Sequence, residues 1–300
     1  MRIATGYKKR MLNFKRFATL LLLLLVSVHG HSAEQTQSGV KLDVVYGKAD
    51  EVDLHLDLAV PEKGDGPFPL IVCIHGGAWR GGSKAGYRPL IKALAEKGYV
   101  AAAVEYRFVP KYKFPAQIED VKCAVRYLRA HAKELKIDSN KVGAIGDSAG
   151  GHLSLLLGLM DAKDGLEGSG GNPGQSSKVQ AVVNLYGPTD FTAPGPWNPV
   201  ATGLVADFLG TSDSKSAVAI QASPITYIDK DDPPILTFHG SADPLVPLDQ
   251  AKRLHEALKK AGVTEQLEII EGAGHGWQGK DHEHSDRMML EFFDRYLKAK

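Results

Sequence analysis

Gly146-Asp147-Ser148-Ala149-Gly150-Gly151 follows the apolar run Val142-Gly143-Ala144-Ile145 and leads into His152-Leu153-Ser154-Leu155-Leu156-Leu157. A serine set between glycines, with a short strand before it and an apolar helix after it, reads as strand, tight turn, helix. That is the geometry of a nucleophile elbow, in which glycines let the backbone turn sharply and leave room around the hydroxyl. The following helix places its N-terminal amides and dipole under Ser148, where they favour developing negative charge. The competing reading is a glycine-rich turn in which Ser148 is only a helix N-cap.

Outward from the elbow, apolar runs at 70–74, 100–104, 142–145, 179–185, 235–238 and 267–270 read as strands buried on both faces. Between them, 89–97, 115–132, 148–160, 248–261 and 286–297 show helical spacing. This alternation predicts an α/β fold, a mostly parallel central sheet with helices on both faces. Alternation from Val40, clearest over 52–58, adds early strands with one wet face. Two stretches break the rhythm. The Gly- and Ser-rich 164–177 reads as a surface loop or flexible excursion. Segment 188–224, with several prolines, Trp197 and a short helical piece near 205–209, is longer than an ordinary connection. It is the candidate lid or substrate wall, with a structural loop as the alternative.

The N-terminus is of another character. Arg2, Lys8, Lys9, Arg10, Lys15 and Arg16 precede an apolar run over 17–28, and Gly30 and Ala33 offer small residues at its exit. The pattern predicts a secretory signal over 1–33, with Met11 as an alternative start and cleavage after Gly30 or Ala33. The run falls short of the roughly 20 residues that span a bilayer, so cleavage is expected over anchoring. Residues 34–300 then form a single domain, secreted or periplasmic. Segment 1–33 carries six basic and no acidic residues, so without it the net charge moves from +1 to −5. A mildly acidic, mixed surface offers no electrostatic footprint for nucleic acid or an anionic membrane, and no stable membrane insertion is expected after cleavage. Cys73 in a strand run and Cys123 in a helical pattern read as buried thiols, and no cysteine pattern suggests a metal. His282-Glu283-His284 could be taken for metal ligands. Adjacent residues do not share a helix face and no third ligand is evident, so a solvated face is expected, with no cofactor.

A serine hydroxyl is a weak nucleophile at neutral pH and needs a base and a carboxylate to orient that base. His275, in Gly272-Ala273-Gly274-His275-Gly276-Trp277 after the last strand run, stands where the carboxyl edge of the sheet meets ligands. Asp243 follows the preceding strand and reaches the same edge, giving the order Ser148, Asp243, His275. Asp190, after the strand at 179–185, is the competing acid, and Asp147 is expected to point elsewhere. Acyl transfer also needs amides for an oxyanion. His75-Gly76-Gly77-Ala78-Trp79 follows the strand at 70–74, so Gly77 and Ala78, or Gly76 and Gly77, are expected to donate with Ala149, while His75 orients the loop.

With Glu105-Tyr106-Arg107 and Phe114-Pro115-Ala116 added, this ordered set resembles the esterase/lipase branch of the α/β hydrolases. It is similar to hormone-sensitive-lipase-like carboxylesterases and more so to secreted carbohydrate esterases of the bifunctional feruloyl and acetylxylan esterase type. The likeness runs from about Val40 to Leu297. It implies an α/β-hydrolase fold with a short lid insertion and a serine esterase acting on short or aromatic acyl groups, acetyl or feruloyl groups of polysaccharides among them. Where that branch commonly carries His-Gly-Gly-Gly, this chain has Ala78, which keeps the amide and alters the width of the acyl site. The stretch from residue 34 to Val72 is too short for a full N-terminal helical cap, so an open site is expected. Trp79 and Trp277 flank the oxyanion loop and the histidine, and with Trp197 they are the candidate pocket walls. The same residues suit an amidase or aryl-formamidase. A serine exopeptidase and an inactive, hydrolase-shaped binding protein are the remaining alternatives.

Overall fold

The computed structural model describes residues 36–298 apart from Ser38, Pro194 and Pro196, so the expected signal segment lies outside the described residues. Nine strands form one sheet: β1 (Thr36–Gln37), β2 (Val40–Ala49), β3 (Val52–Ala59), β4 (Phe68–Ile74), β5 (Val100–Val104), β6 (Ile137–Asp147), β7 (Ala181–Leu185), β8 (Ile235–Gly240) and β9 (Glu265–Ile270), in the order 1-2-3-5-4-6-7-8-9. The first three run antiparallel, and β5, β4, β6, β7, β8 and β9 are parallel throughout. All the parallel strands therefore end on one edge, where the loops bearing Gly77, Ser148, Asp243 and His275 gather.

Side chains alternate across a strand, and the apolar runs divide accordingly. Leu70, Val72 and Ile74 of β4 enter a core beneath α2 (Ala116–Ala130), α3 (Ala149–Leu159) and α6 (Leu248–Ala261). Ile71 and Cys73 enter a second core beneath α1 (Arg88–Glu96) and α7 (Lys280–Phe293). Continuous apolar strands are thus buried on both faces, as parallel sheets require. The edge strand β9 departs from this expectation. Only Ile270 of it is buried, because one side of β9 has no strand neighbour.

Two further segments fold differently from the expectation, and a third, 164–177, is the surface loop that its composition predicts. Helix α7 begins at Lys280, six residues before the apolar spacing starts, since its first turn is charged and faces water. Segment 188–224 folds into α4 (Pro199–Leu209) and α5 (Ala217–Ala222) over the carboxyl edge. Asn198 caps α4 by accepting from the Ala201 amide at 2.8 Å, and Gly210 closes it in a left-handed conformation. The 164–177 stretch is a pinned surface loop. Lys122 Nζ donates to Gly165 O (2.9 Å), Arg126 Nε to Gly171 O (3.0 Å), and Arg126 also pairs with Glu167 at 2.8 Å.

Candidate active site

The turn after β6 is built by close approach. A Cβ on Gly150 would lie 1.9 Å from Ile74 O, and one on Gly146 would lie 2.3 Å from the Gly150 carbonyl carbon. Nothing larger than hydrogen fits where the elbow crosses β4. Ser148 itself takes φ +51° and ψ −118°, a costly backbone for a non-glycine residue, held by its amide donating to Leu185 O at 2.8 Å.

That turn brings the expected residues together. Ser148 Oγ donates to His275 Nε2 at 2.9 Å, and His275 Nδ1 donates to Asp243 Oδ2 at 2.7 Å. The other Asp243 oxygen accepts from the amides of Leu245 (2.8 Å) and Val246 (3.0 Å). Burial pushes the Asp243 carboxyl up, but the His275 hydrogen bond and charge together with those amides outweigh it and hold the pKa below the ordinary value. Asp243 stays ionised and fixes the imidazole so that Nε2 is free to accept the serine proton. Asp190 has other work: its Oδ1 accepts from Thr192 N, Thr192 Oγ1 and Ala193 N, closing a turn after β7.

In the loop after β4, Gly77 lies at φ +113° and Ala78 at φ +53°, and both line one cavity with Ser148 and His275. With the amide of Ala149 they are the donors available for an oxyanion. Gly76 is corrected. Its amide donates to Asp147 Oδ1 at 2.9 Å and is spent. The same oxygen accepts the Tyr87 hydroxyl at 2.8 Å, so Asp147 staples the elbow to the oxyanion loop and to the segment before α1. His75 orients the loop by donating from Nδ1 to Gly76 O (2.7 Å). Its ring stacks on Tyr106 at 4.5 Å, and the Tyr106 hydroxyl donates to His75 O at 2.9 Å. Burial holds the His75 pKa below the usual histidine range, so the ring stays neutral. Beneath Tyr106, Arg107 makes a buried two-pronged pair with Asp120, Nη2 to Oδ1 at 2.8 Å and Nε to Oδ2 at 2.9 Å.

The cavity facing Ser148 has a volume of about 260 Å³, and Trp79, Trp197, Leu204, Val205, Leu245 and Val246 give it apolar walls. Trp79 is almost wholly buried, its ring stacked on Phe208 of α4 at 4.0 Å and its Nε1 donating to His152 Nδ1 at 3.3 Å. His152 Nε2 in turn donates to Ala222 O of α5 at 2.7 Å, so one buried imidazole joins the oxyanion loop to the cap. Trp277 is the second correction. It lines a separate cavity of about 490 Å³ between α1 and α7, with its indole Nε1 tied to Ser285 Oγ at 2.9 Å. Tyr186 packs edge-on against both His275 (4.7 Å) and Trp277 (5.2 Å), and Asp147 lines both spaces. His282 pairs with Asp286 and His284 with Glu268. Among the described residues no group of three or more His, Cys, Asp or Glu is placed to hold a metal, and no helix is long and apolar enough to cross a membrane.

Asp147, Tyr87, Tyr106 and His152 are the supporting residues that the sequence did not single out by role. Tyr106, Asp147 and His152 stood inside quoted stretches and Tyr87 did not, and nothing in the spacing tells that Asp147 meets a loop 71 residues away.

Comparison with known proteins bears on the family and the fold. The BD-FAE family model matches residues 56–258. Esterase LipC of Mycobacterium tuberculosis is 35% identical over 249 residues, which is 78% of this chain and 59% of LipC. The chain spans about half to three-fifths of the length of this and the other leading curated relatives. Among solved structures, a truncated carbohydrate esterase from gut microbiota superposes with a TM-score of 0.78 at 30% identity, covering 89% of this chain and 99% of that one. Esterase Est2 of Thermogutta terrifontis gives 0.72 at 32% identity, over 87% and 92%. Structures of Est2 with propionate and with butyrate bound match as well. With a family match over most of its length and an α/β-hydrolase fold shared with solved esterases, the chain belongs to the BD-FAE family.

Proposed function

We propose that this chain is a serine carboxylesterase that releases short or aromatic acyl groups through an acyl-enzyme intermediate. The observation that carries the reading is the continuous Ser148–His275–Asp243 hydrogen-bond chain opening on an apolar cavity beside Gly77 and Ala78. His275 Nε2 takes the Ser148 proton as Oγ attacks the ester carbonyl carbon, and the amides of Gly77, Ala78 and Ala149 receive the oxyanion. As the carbon–oxygen bond breaks, His275 returns that proton to the leaving alcohol. A water then attacks the acyl-serine, gives its proton to His275, and the acid departs as the proton returns to Ser148 Oγ.

Acetyl or feruloyl groups on polysaccharides are the proposed natural esters, supported by the family match and by the carbohydrate esterase among the structural relatives. Export, with 1–33 removed and 34–300 as the catalytic domain, rests on the basic, then apolar, then small-residue pattern of the N-terminus. The test is hydrolysis of matched acetyl, butyryl, octanoyl and feruloyl esters, alongside the corresponding amides. Strong short-acyl or feruloyl turnover, lost by about 10⁶-fold in Ser148→Ala with folding intact, is expected. Preference for the amides, or activity that survives Ser148→Ala, overturns the proposal.

A further inference from the structure

The cap holds a second cavity directly behind the one that faces Ser148. It has a volume of about 240 Å³ and runs past Phe191, Ala206 and Leu209 to a polar mouth at Thr211–Ser214. Two residues, Trp197 and Val205, line both spaces. The Trp197 indole lies near-parallel to Phe191 (6.5 Å between centroids, 28° between planes). A Cβ on Gly195 would stand 3.0 Å from Trp197 Nε1, so the backbone also passes close to the indole edge. With Phe191 beside it, the indole stands as a partition between the two spaces. At its foot, Asn198 fastens the cap to the loop of Asp243 by donating to Pro244 O.

We propose that Trp197 sets the acyl-length limit of this site by closing the serine cavity against a preformed extension. This rests on the esterase reading above. The serine cavity alone is smaller than the roughly 300–1,000 Å³ of common small-molecule sites, whereas the two joined would fall inside that range. An acyl chain entering past Leu204 and Leu245 meets the indole after a few carbons. Beyond it stands a space with apolar walls, and with hydroxyl-bearing residues and Asp213 at its exit, suited to a straight alkyl chain of medium length that stops short of that exit. Val205, on α4, forms the rest of the same wall and is the independent handle on it.

The experiment compares kcat/KM for butyryl and octanoyl esters in the wild-type chain and in Trp197→Ala, Trp197→Phe and Val205→Ala. The octanoyl-to-butyryl ratio is expected to rise about tenfold or more in Trp197→Ala, in line with what apolar pocket changes achieve. Smaller rises in the same direction are expected in the other two variants, which keep the measurement decisive if the alanine at 197 loosens the cap. A ratio unchanged across all folded variants that still cleave butyrate overturns the inference and leaves the esterase reading standing. Absence of ester turnover in the wild-type chain overturns both.

Discussion

The floor of the site and its cap are built on opposite plans. The floor is a set of loops at the ends of parallel strands, held by backbone bonds, with the Asp147 carboxylate tying the elbow to the oxyanion loop and to Tyr87. The cap is a proline-rich excursion of two short helices, attached through points that include the Trp79–Phe208 stack, the His152–Ala222 and Asn198–Pro244 bonds, the Phe114 amide to Phe208 O and the Arg80–Asp207 pair. Chemistry that tolerates little displacement is set on the rigid part, and substrate selection is left to the part where side chains change at less cost.

The sharpest way to probe this contrast is on the floor. Asp243→Asn keeps the shape of the acid but disturbs the histidine tautomer, so kcat is expected to fall about 10⁴-fold with little change in melting temperature. Steady-state kinetics beside a thermal melt checks it, and a loss below tenfold would return Asp190 to contention. On the cap, Phe208→Ala is expected to cost about 3–5 kcal/mol in denaturant titration, because a fully buried ring leaves a cavity between Trp79 and Phe114. A cost under 1 kcal/mol would mean that the cap is not tied to the floor through that stack.

The bond between the two regions is titratable. Burial lowers the His152 pKa to about 4 from an ordinary 6.5. Between those values the unfolded chain binds a proton that the folded chain refuses. Stability is therefore full above about pH 6.5 and declines as the pH falls towards 4, by roughly 3 kcal/mol from this residue. His75 and His239, also lowered by burial, act in the same direction. Chemical denaturation at pH 7 and pH 5 should show a shallower decline in His152→Gln than in the wild-type chain. Equal slopes would remove His152 as a source of acid sensitivity. The smallest effect is expected at Ala78→Gly, which relieves a left-handed alanine (φ +53°) worth about 1–2 kcal/mol of strain. Part of that is offset by glycine's greater unfolded-state entropy. A net gain of under about 1 kcal/mol is expected, and a clear loss would show that the methyl group packs usefully.

The parallel strands were legible because apolar continuity and alternation survive in a single sequence, and α6 begins and ends where its spacing predicts. The elbow, Asp243 and His275 were legible because each follows a strand run, and parallel strands deliver their loops to one edge. What escaped reading depended on contacts between distant residues. Lys122 and Arg126 of α2 carry charges and no sequence signal of burial, yet both are buried against the loop they hold. The first turn of α7 carries no apolar signal. Trp79 and Trp277 occupy similar places beside functional glycines, and only the packing of Tyr186 and Ser285 sends the second to another cavity. Gly76 looks interchangeable with Gly77 until Asp147 is seen to take its amide.

That single oxygen of Asp147 has a consequence for how such a chain can change. Because Tyr87 and Gly76 both lean on it, substitutions before α1, in the oxyanion loop and at the elbow are not independent trials. Their effects are expected to depend on one another, as for any residues in one hydrogen-bond network. Laboratory evolution that varies one of these segments at a time would explore a narrower set of working sequences than libraries varying all three together.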